Sequence, residues 1–225
     1  MTPATRSPSR AGNDTTYRPP DYWNEACRAL ETCDETLKRV LTRHGSNALR
    51  GSGNALRTLL NAVIGQQISV AAAEGIWRRF LATYPSVDAR AIASADPAAL
   101  RAIGLSNRKV EYVTGIARAF AAGDVKPAQW SSLADDALRD HLTSLRGVGP
   151  WTADMVLIFH ERRPDVLPLG DVGLVNAAAR LYGWDAPDLR ARRETLRVHA
   201  ERWRPWRSVA TWYIWLELDA EPVVY

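Results

Sequence analysis

Residues Leu145-Arg146-Gly147-Val148-Gly149-Pro150-Trp151-Thr152-Ala153 form a Gly-x-Gly turn between two helical patterns, and an isolated acid, Asp171, follows twenty positions after Trp151. Gly147 and Gly149 lack a Cβ, so the chain can turn tightly and bring bare backbone close to a ligand. Pro150 suits the first turn of the next helix, where its missing N–H would have had no intrahelical partner. Glycine N–H groups and a helix N-terminus then converge on one spot, which favours an anion, and phosphate fits. Asp171 supplies the second chemistry. It precedes the apolar-periodic run Val172 to Leu181, so a helix N-cap explains it well, and a catalytic carboxylate is the second reading. The two roles coexist, because a helix N-terminus favours negative charge.

Two glycines between helices also make an ordinary turn, so the elements around them decide. Upstream, Ala134 to Leu145 carries Leu138, Leu142 and Leu145 at helical spacing. Downstream, Trp151 to His160 contains Met155, Val156, Ile158 and Phe159, the pattern of a well-buried helix. Further helix starts are predicted at Asn54, Ser69, Asp96 with Pro97, and Ser106, and stops at Gly45, Gly104, Gly123 and Gly183. No sustained period-2 alternation appears, so the expected fold class is all-α with two lobes. One lobe spans 54–165 and ends in the helix, hairpin and helix of 134–163; the other joins 21–53 to 166–225. Residues 1–20, rich in Thr, Ser, Pro and Arg, are expected to form a disordered basic arm.

Together, Leu-x-Gly-Val-Gly-x-x-Thr-Ala and the trailing Asp171 resemble the helix-hairpin-helix superfamily of DNA glycosylases. The Trp151 to Asp171 interval suits its 3-methyladenine DNA glycosylase II branch. Two further blocks resemble that branch: Asn61-Ala-Val-Ile-Gly-Gln-Gln-Ile-Ser-Val70, and Ala200-Glu-Arg-Trp-Arg-Pro-Trp-Arg-Ser-Val-Ala210 with Trp215 beyond. The resemblance runs from about Asp21 to Leu218 and implies a monofunctional enzyme that flips an alkylated base out of duplex DNA and hydrolyses its N-glycosidic bond. It makes Asp171 the catalytic carboxylate. Bifunctional relatives carry a Lys where this chain has Trp151, and an indole cannot form a Schiff base. Related bacterial enzymes often have an additional N-terminal α/β domain, for which no room is expected before Asp21.

By the same resemblance, Trp151 and Trp215 wall a pocket for a cationic base, held in part by cation–π attraction; ordinary core packing is the alternative for any one Trp. Met155, Val172, Gly173 and Leu216 stand where some relatives are bulkier, so a broad alkyl-base specificity is expected, covering 3-methyladenine, 7-methylguanine and larger adducts. DNA contacts are assigned to Gly147, Val148, Gly149 and Thr152 at the hairpin and to Gln66, Gln67 and Ser69. Gln67 falls where the best-known relatives insert a Leu into the duplex, so the plug here is polar; a plain loop tip is the alternative reading. Trp203 and Trp206, in a segment expected to open the last helix, are expected to pack inward. No cofactor is required; the resemblance allows a structural Na or K ion on the carbonyls of Thr143, Leu145 and Val148 when DNA is bound. Two other functions explain part of the pattern: a non-enzymatic helix-hairpin-helix DNA-binding module, and a glycosylase for oxidised or mismatched bases.

Composition agrees with a polyanionic partner without requiring one: the 225 residues carry a formal charge of +4 and are 46% apolar. Two cysteines, Cys27 and Cys33, exclude a four-Cys iron–sulfur site within the chain, and four scattered His residues show no metal-ligand spacing. The longest strongly apolar run, Met155 to Phe159, falls far short of the roughly 20 residues a membrane helix needs. Residues 1–20 have no apolar centre and do not read as a secretory signal. A monomer working on double-stranded DNA in the cytoplasm, or in the nucleus of a eukaryote, is expected.

Overall fold

A computed structural model describes residues 19–45 and 47–218. All but the last two residues of the expected basic arm lie outside the described residues. Among those described, twelve α-helices and no strand occur: α1 Trp23–Cys33, α2 Glu35–His44, α3 Ala55–Gly65, α4 Val70–Thr83, α5 Ala89–Ala93, α6 Pro97–Ala102, α7 Asn107–Ala122, α8 Asp135–Thr143, α9 Pro150–Phe159, α10 Val172–Tyr182, α11 Leu189–His199 and α12 Arg207–Leu216. The chain is all-α, as its sequence pattern implies.

Side-chain caps set many of these boundaries. Asn54, Ser69, Asp96 and Ser106 each accept a hydrogen bond from a backbone N–H in the first turn of the helix they precede. Gly45, Gly123 and Gly183 stand at the C-caps of α2, α7 and α10 with positive φ, and Gly104 follows one residue after the C-cap of α6. The segment 202–207 departs from expectation. Trp203 closes a short 3₁₀ turn, and α12 begins only at Arg207. Trp203 is nevertheless fully buried, while Trp206 stacks on Tyr22 at 5.6 Å.

Helix α3 packs against α4, α7 and α9, with α5 and α6 on α7 and α8 on α9. A second set joins α1 to α2, both to α12, and α10 to α11 and α12. Asp34 anchors this second set. Its carboxylate caps α2 through the N–H groups of Thr36 and Leu37, and accepts from Tyr182 Oη at 2.9 Å, Trp203 Nε1 at 2.9 Å and His199 Nε2 at 3.1 Å. Burial opposes its charge, but these donors outweigh burial and hold the carboxyl well below the usual range.

The stretch between α9 and α10 ties the two sets together. Ser208 Oγ donates to Arg163 O at 2.6 Å and accepts from Val166 N at 2.9 Å, Arg207 grips Asp165 through Nε and Nη2, and Tyr22 Oη donates to Arg162 O at 2.8 Å. These bonds fix the path of the loop that delivers Asp171. Helix α9 runs through the centre: Thr152 to Phe159 are all buried, so it contacts neighbours on every side.

Candidate active site

A cleft of about 880 Å³ opens where the α3–α4 turn, α4, α7 and the hairpin before α9 face the start of α10. Its walls include Asn61 from α3, Gln66, Gln67, Ile68 and Ser69 from the α3–α4 turn, Val70, Glu74 and Trp77 from α4, and Tyr112 from α7. Gly147, Gly149, Pro150, Trp151 and Thr152 come from the hairpin and α9; Gly170, Asp171, Val172 and Gly173 complete it.

Asp171 sits at the N-cap of α10. Its Oδ1 accepts from Leu174 N at 2.7 Å, and its Oδ2 accepts from the indole Nε1 of Trp151 at 2.9 Å. The Trp151–Asp171 interval thus becomes a direct contact: the first turn of α9 orients the carboxylate that the loop delivers. Each carboxylate oxygen keeps acceptor capacity beyond these bonds, so the group can still meet water or a positive centre. Arg193 Nε donates to Leu169 O at 3.1 Å and steadies the loop two residues upstream.

The hairpin is built by one close approach. Gly147 has φ +94°, and a Cβ placed there would stand 2.3 Å from the ring of Tyr112, so ring and backbone share one space. Gly149 differs, since nothing lies within 4 Å of its missing Cβ; it caps α9 on the open side. At that end the N–H groups of Trp151 and Thr152 have no partner within the helix, the arrangement that receives an anion.

Several predicted site residues lie elsewhere than expected. Met155 is 1% exposed and Leu216 is 4% exposed, and neither lines the cleft. Because α9 is buried all round, only its first turn reaches the cleft, and Met155 one turn on packs in the core. Trp215 does not line the cleft either; it stacks on Phe159 at 5.9 Å, at the C-terminal end of α9. That end lies about 14 Å along the axis from Pro150 at 1.5 Å per residue. Thr152 is buried, with its hydroxyl taken by Gln66, and Val148 points its side chain into the core. Gln66 spends its amide on the protein, donating from Nε2 to Gly147 O at 2.9 Å and to Thr152 Oγ1 at 2.7 Å. Ser69 caps α4 through Ala72 N. Gln67 stands exposed at the tip of its turn with φ +58°, and Val172 and Gly173 are among the residues that line the cleft.

Sequence reasoning missed Trp77, Tyr112, Glu74, Asn61 and Lys109. Trp77 stacks on Phe80 at 5.2 Å and carries the Arg57 guanidinium 5.8 Å from its ring centroid. Lys109 donates from Nζ to the carbonyls of Ile64 at 2.6 Å and Gln66 at 2.9 Å, capping the C-terminal end of α3. Burial pushes its ammonium below the usual lysine range. The i, i+3 spacing of Lys109 and Tyr112 was the one available signal, and it marked only a shared helix face. Among the described residues no Lys, Arg or His lines the cleft, whereas two acids, Glu74 and Asp171, do. Among the described residues no group of three His, Cys, Asp or Glu could hold a metal ion, and no helix is long and apolar enough to cross a membrane.

Comparison with known proteins places this geometry in a lineage. The chain is 30% identical over 195 residues to DNA-3-methyladenine glycosylase 1 of Schizosaccharomyces pombe, covering 83% of each protein. It is 29% identical over 198 residues to a DNA-3-methyladenine glycosylase of Bacillus subtilis, covering 83% of this chain and 64% of that one. The solved structure of the Schizosaccharomyces pombe 3-methyladenine DNA glycosylase in complex with abasic DNA superposes with a TM-score of 0.77 at 29% identity, over 85% of this chain and 95% of that one. Residues 60–205, which hold the α3–α4 turn, the hairpin and Asp171, match the family model described as HhH-GPD superfamily base excision DNA repair protein, and the chain belongs to that superfamily.

Proposed function

We propose that this protein is a DNA glycosylase that excises alkylated purines from duplex DNA as a monomer and leaves an abasic site. The observation that carries this reading is the makeup of the cleft. Trp151, Trp77 and Tyr112 supply aromatic walls, Asp171 and Glu74 supply negative charge, and no cationic side chain among the described residues lines it. Such a cleft suits a flat cation, and alkylation at N3 or N7 turns a purine into one.

The reaction follows from the placement of Asp171. The hairpin and the N-terminus of α9 hold backbone phosphate, and the damaged base swings out of the stack into the cleft. As the N-glycosidic bond breaks, its electron pair moves to the base nitrogen and neutralises the base, so no general acid is needed. Positive charge grows on the sugar, where the Asp171 carboxylate, held by Leu174 N and Trp151 Nε1, stabilises it and orients water. Water adds at the anomeric carbon and loses a proton. With an indole at position 151, no amine is offered there for covalent attack on the sugar, and we assign no strand-cleaving step.

Val172 and Gly173 in the cleft lining support a roomy site and hence a broad substrate range, now without Met155 or Leu216. A Na or K ion on the carbonyls of Thr143, Leu145 and Val148 fits this donor set, since hard cations take oxygen ligands. Leu145 O already accepts from Val148 N at 3.0 Å but has a second lone pair. Such an ion would add positive charge to the phosphate grip. A DNA substrate fits a protein of the bacterial cytoplasm or of the eukaryotic nucleus.

Incubation with methylated duplex DNA and chromatography of the released bases tests the reading: 3-methyladenine and 7-methylguanine appear, and strands break only after heat or alkali. No released base, or a covalent adduct trapped by borohydride, overturns it.

A further inference from the structure

The turn that carries Gln67 and the hairpin that faces phosphate lie 80 residues apart in sequence, yet one set of bonds locks them together. Gln66 uses both amide protons on the hairpin side, one on Gly147 O and one on Thr152 Oγ1. From the other side, Lys109 Nζ holds the Gln66 carbonyl and the Ile64 carbonyl before it. One turn further along α7, Tyr112 fills the space that a side chain at Gly147 would need. Lys109 and Tyr112 thus brace from one helix the two segments that Gln66 ties to each other. Between these braces Gln67 sits in left-handed backbone, which a residue with a Cβ adopts only where its surroundings impose it.

We propose that Gln66 and Lys109 are positioning residues: they form a strut that couples the Gln67 turn to the phosphate-gripping hairpin. The strut keeps the inserting tip from yielding when it enters the base stack. Pushing a side chain into a duplex and unpairing a base costs free energy, and a turn held only at its own ends would bend back under that load. With the strut in place, the load passes through Gln66 to the hairpin backbone and so to the bound phosphates. This inference rests on the glycosylase reading, but it concerns displacement of the base rather than cleavage of the bond.

The test uses the full chain and two duplexes, one with 7-methylguanine opposite cytosine and one with 7-methylguanine opposite an abasic-site analogue, where the base is already unpaired. Lys109→Met and Gln66→Ala should each slow single-turnover excision at least tenfold on the first duplex and less than threefold on the second. Lys109→Arg, which can still donate to both carbonyls, should recover most of the loss. In parallel, 2-aminopurine beside the lesion should brighten on binding the wild-type protein and stay quenched with the two variants.

Equal losses on both duplexes would show that the variants damage the protein generally, and no loss on either would remove the strut altogether. A shallower salt dependence of DNA binding in Lys109→Met, by about one unit of slope, would make Lys109 a phosphate ligand instead. If the wild-type protein releases no base from either duplex, the proposed chemistry fails, and the 2-aminopurine signal alone then decides the strut.

Discussion

Replacing Asp171 separates its two roles, because asparagine keeps one and loses the other. Asn is as good an N-cap as Asp, so Asp171→Asn retains the bond from Leu174 N that starts α10. What it loses is the charge, together with the acceptor that faces Trp151 Nε1 at 2.9 Å, where the new amide would oppose one donor with another. A carboxylate about 4 Å from a developing sugar cation, in surroundings of effective dielectric about 20, contributes about 4 kcal/mol. That corresponds to roughly a thousandfold in rate. Asp171→Ala removes the cap as well, costing about 1 kcal/mol more, or some 2–4 °C in Tm for a chain of this size. Single-turnover release of 7-methylguanine, measured beside thermal unfolding, should therefore show two inactive variants, of which only Asp171→Ala is clearly less stable. Excision by Asp171→Asn within tenfold of wild type would refute the reasoning and leave Asp171 as a cap alone.

Trp151→Phe keeps an aromatic wall but removes the indole donor to Asp171; a hydrogen bond to a charged group contributes about 1.5–3 kcal/mol, so excision should slow by at least tenfold while affinity for undamaged duplex stays unchanged. Gly147→Ala sets a Cβ against the Tyr112 ring at positive φ, and both Tm and DNA affinity should fall, by several degrees in Tm; an unperturbed Tm would show that the hairpin relaxes freely. Stability should also fall with acid. Burial, with help from Arg162, depresses the folded pKa of His160, so the unfolded chain binds a proton first and stability present above about pH 6.5 is lost below it. Tm measured at pH 7.5 and 5.5 should drop, and His160→Gln should flatten the slope; at lower pH, loss of the Asp34 carboxylate adds to the fall.

The limits of each helix were legible in the sequence wherever they depend on local chemistry. Asn54, Ser69, Asp96 and Ser106 start helices because their own side chains satisfy N–H groups two or three residues away, a relation that needs no tertiary partner. Gly149 and Pro150 mark the start of α9 in the same way, and Asp171 announces its cap. The resemblance carried by the hairpin, the Gln66 turn and Asp171 led to the right superfamily, because all three lie within the residues that the family model matches.

Which side chains meet in the cleft was settled only by packing. Met155 lies one helical turn from Trp151 and shares its face, but α9 is apolar on every side, so periodicity could not tell the end that meets the cleft from the part buried in the core. Trp215 and Trp77 look alike in sequence as tryptophans in helices. Only the tertiary fold stacks one on Phe159 at the C-terminal end of α9, against the core, and sets the other in the cleft wall. Gln66 carries the same lesson: the sequence offers an amide beside an exposed turn, and its two acceptors lie more than 80 residues away. Caps and turns act over a few bonds and are written locally, whereas walls and struts depend on where distant helices cross, which burial of the whole core decides.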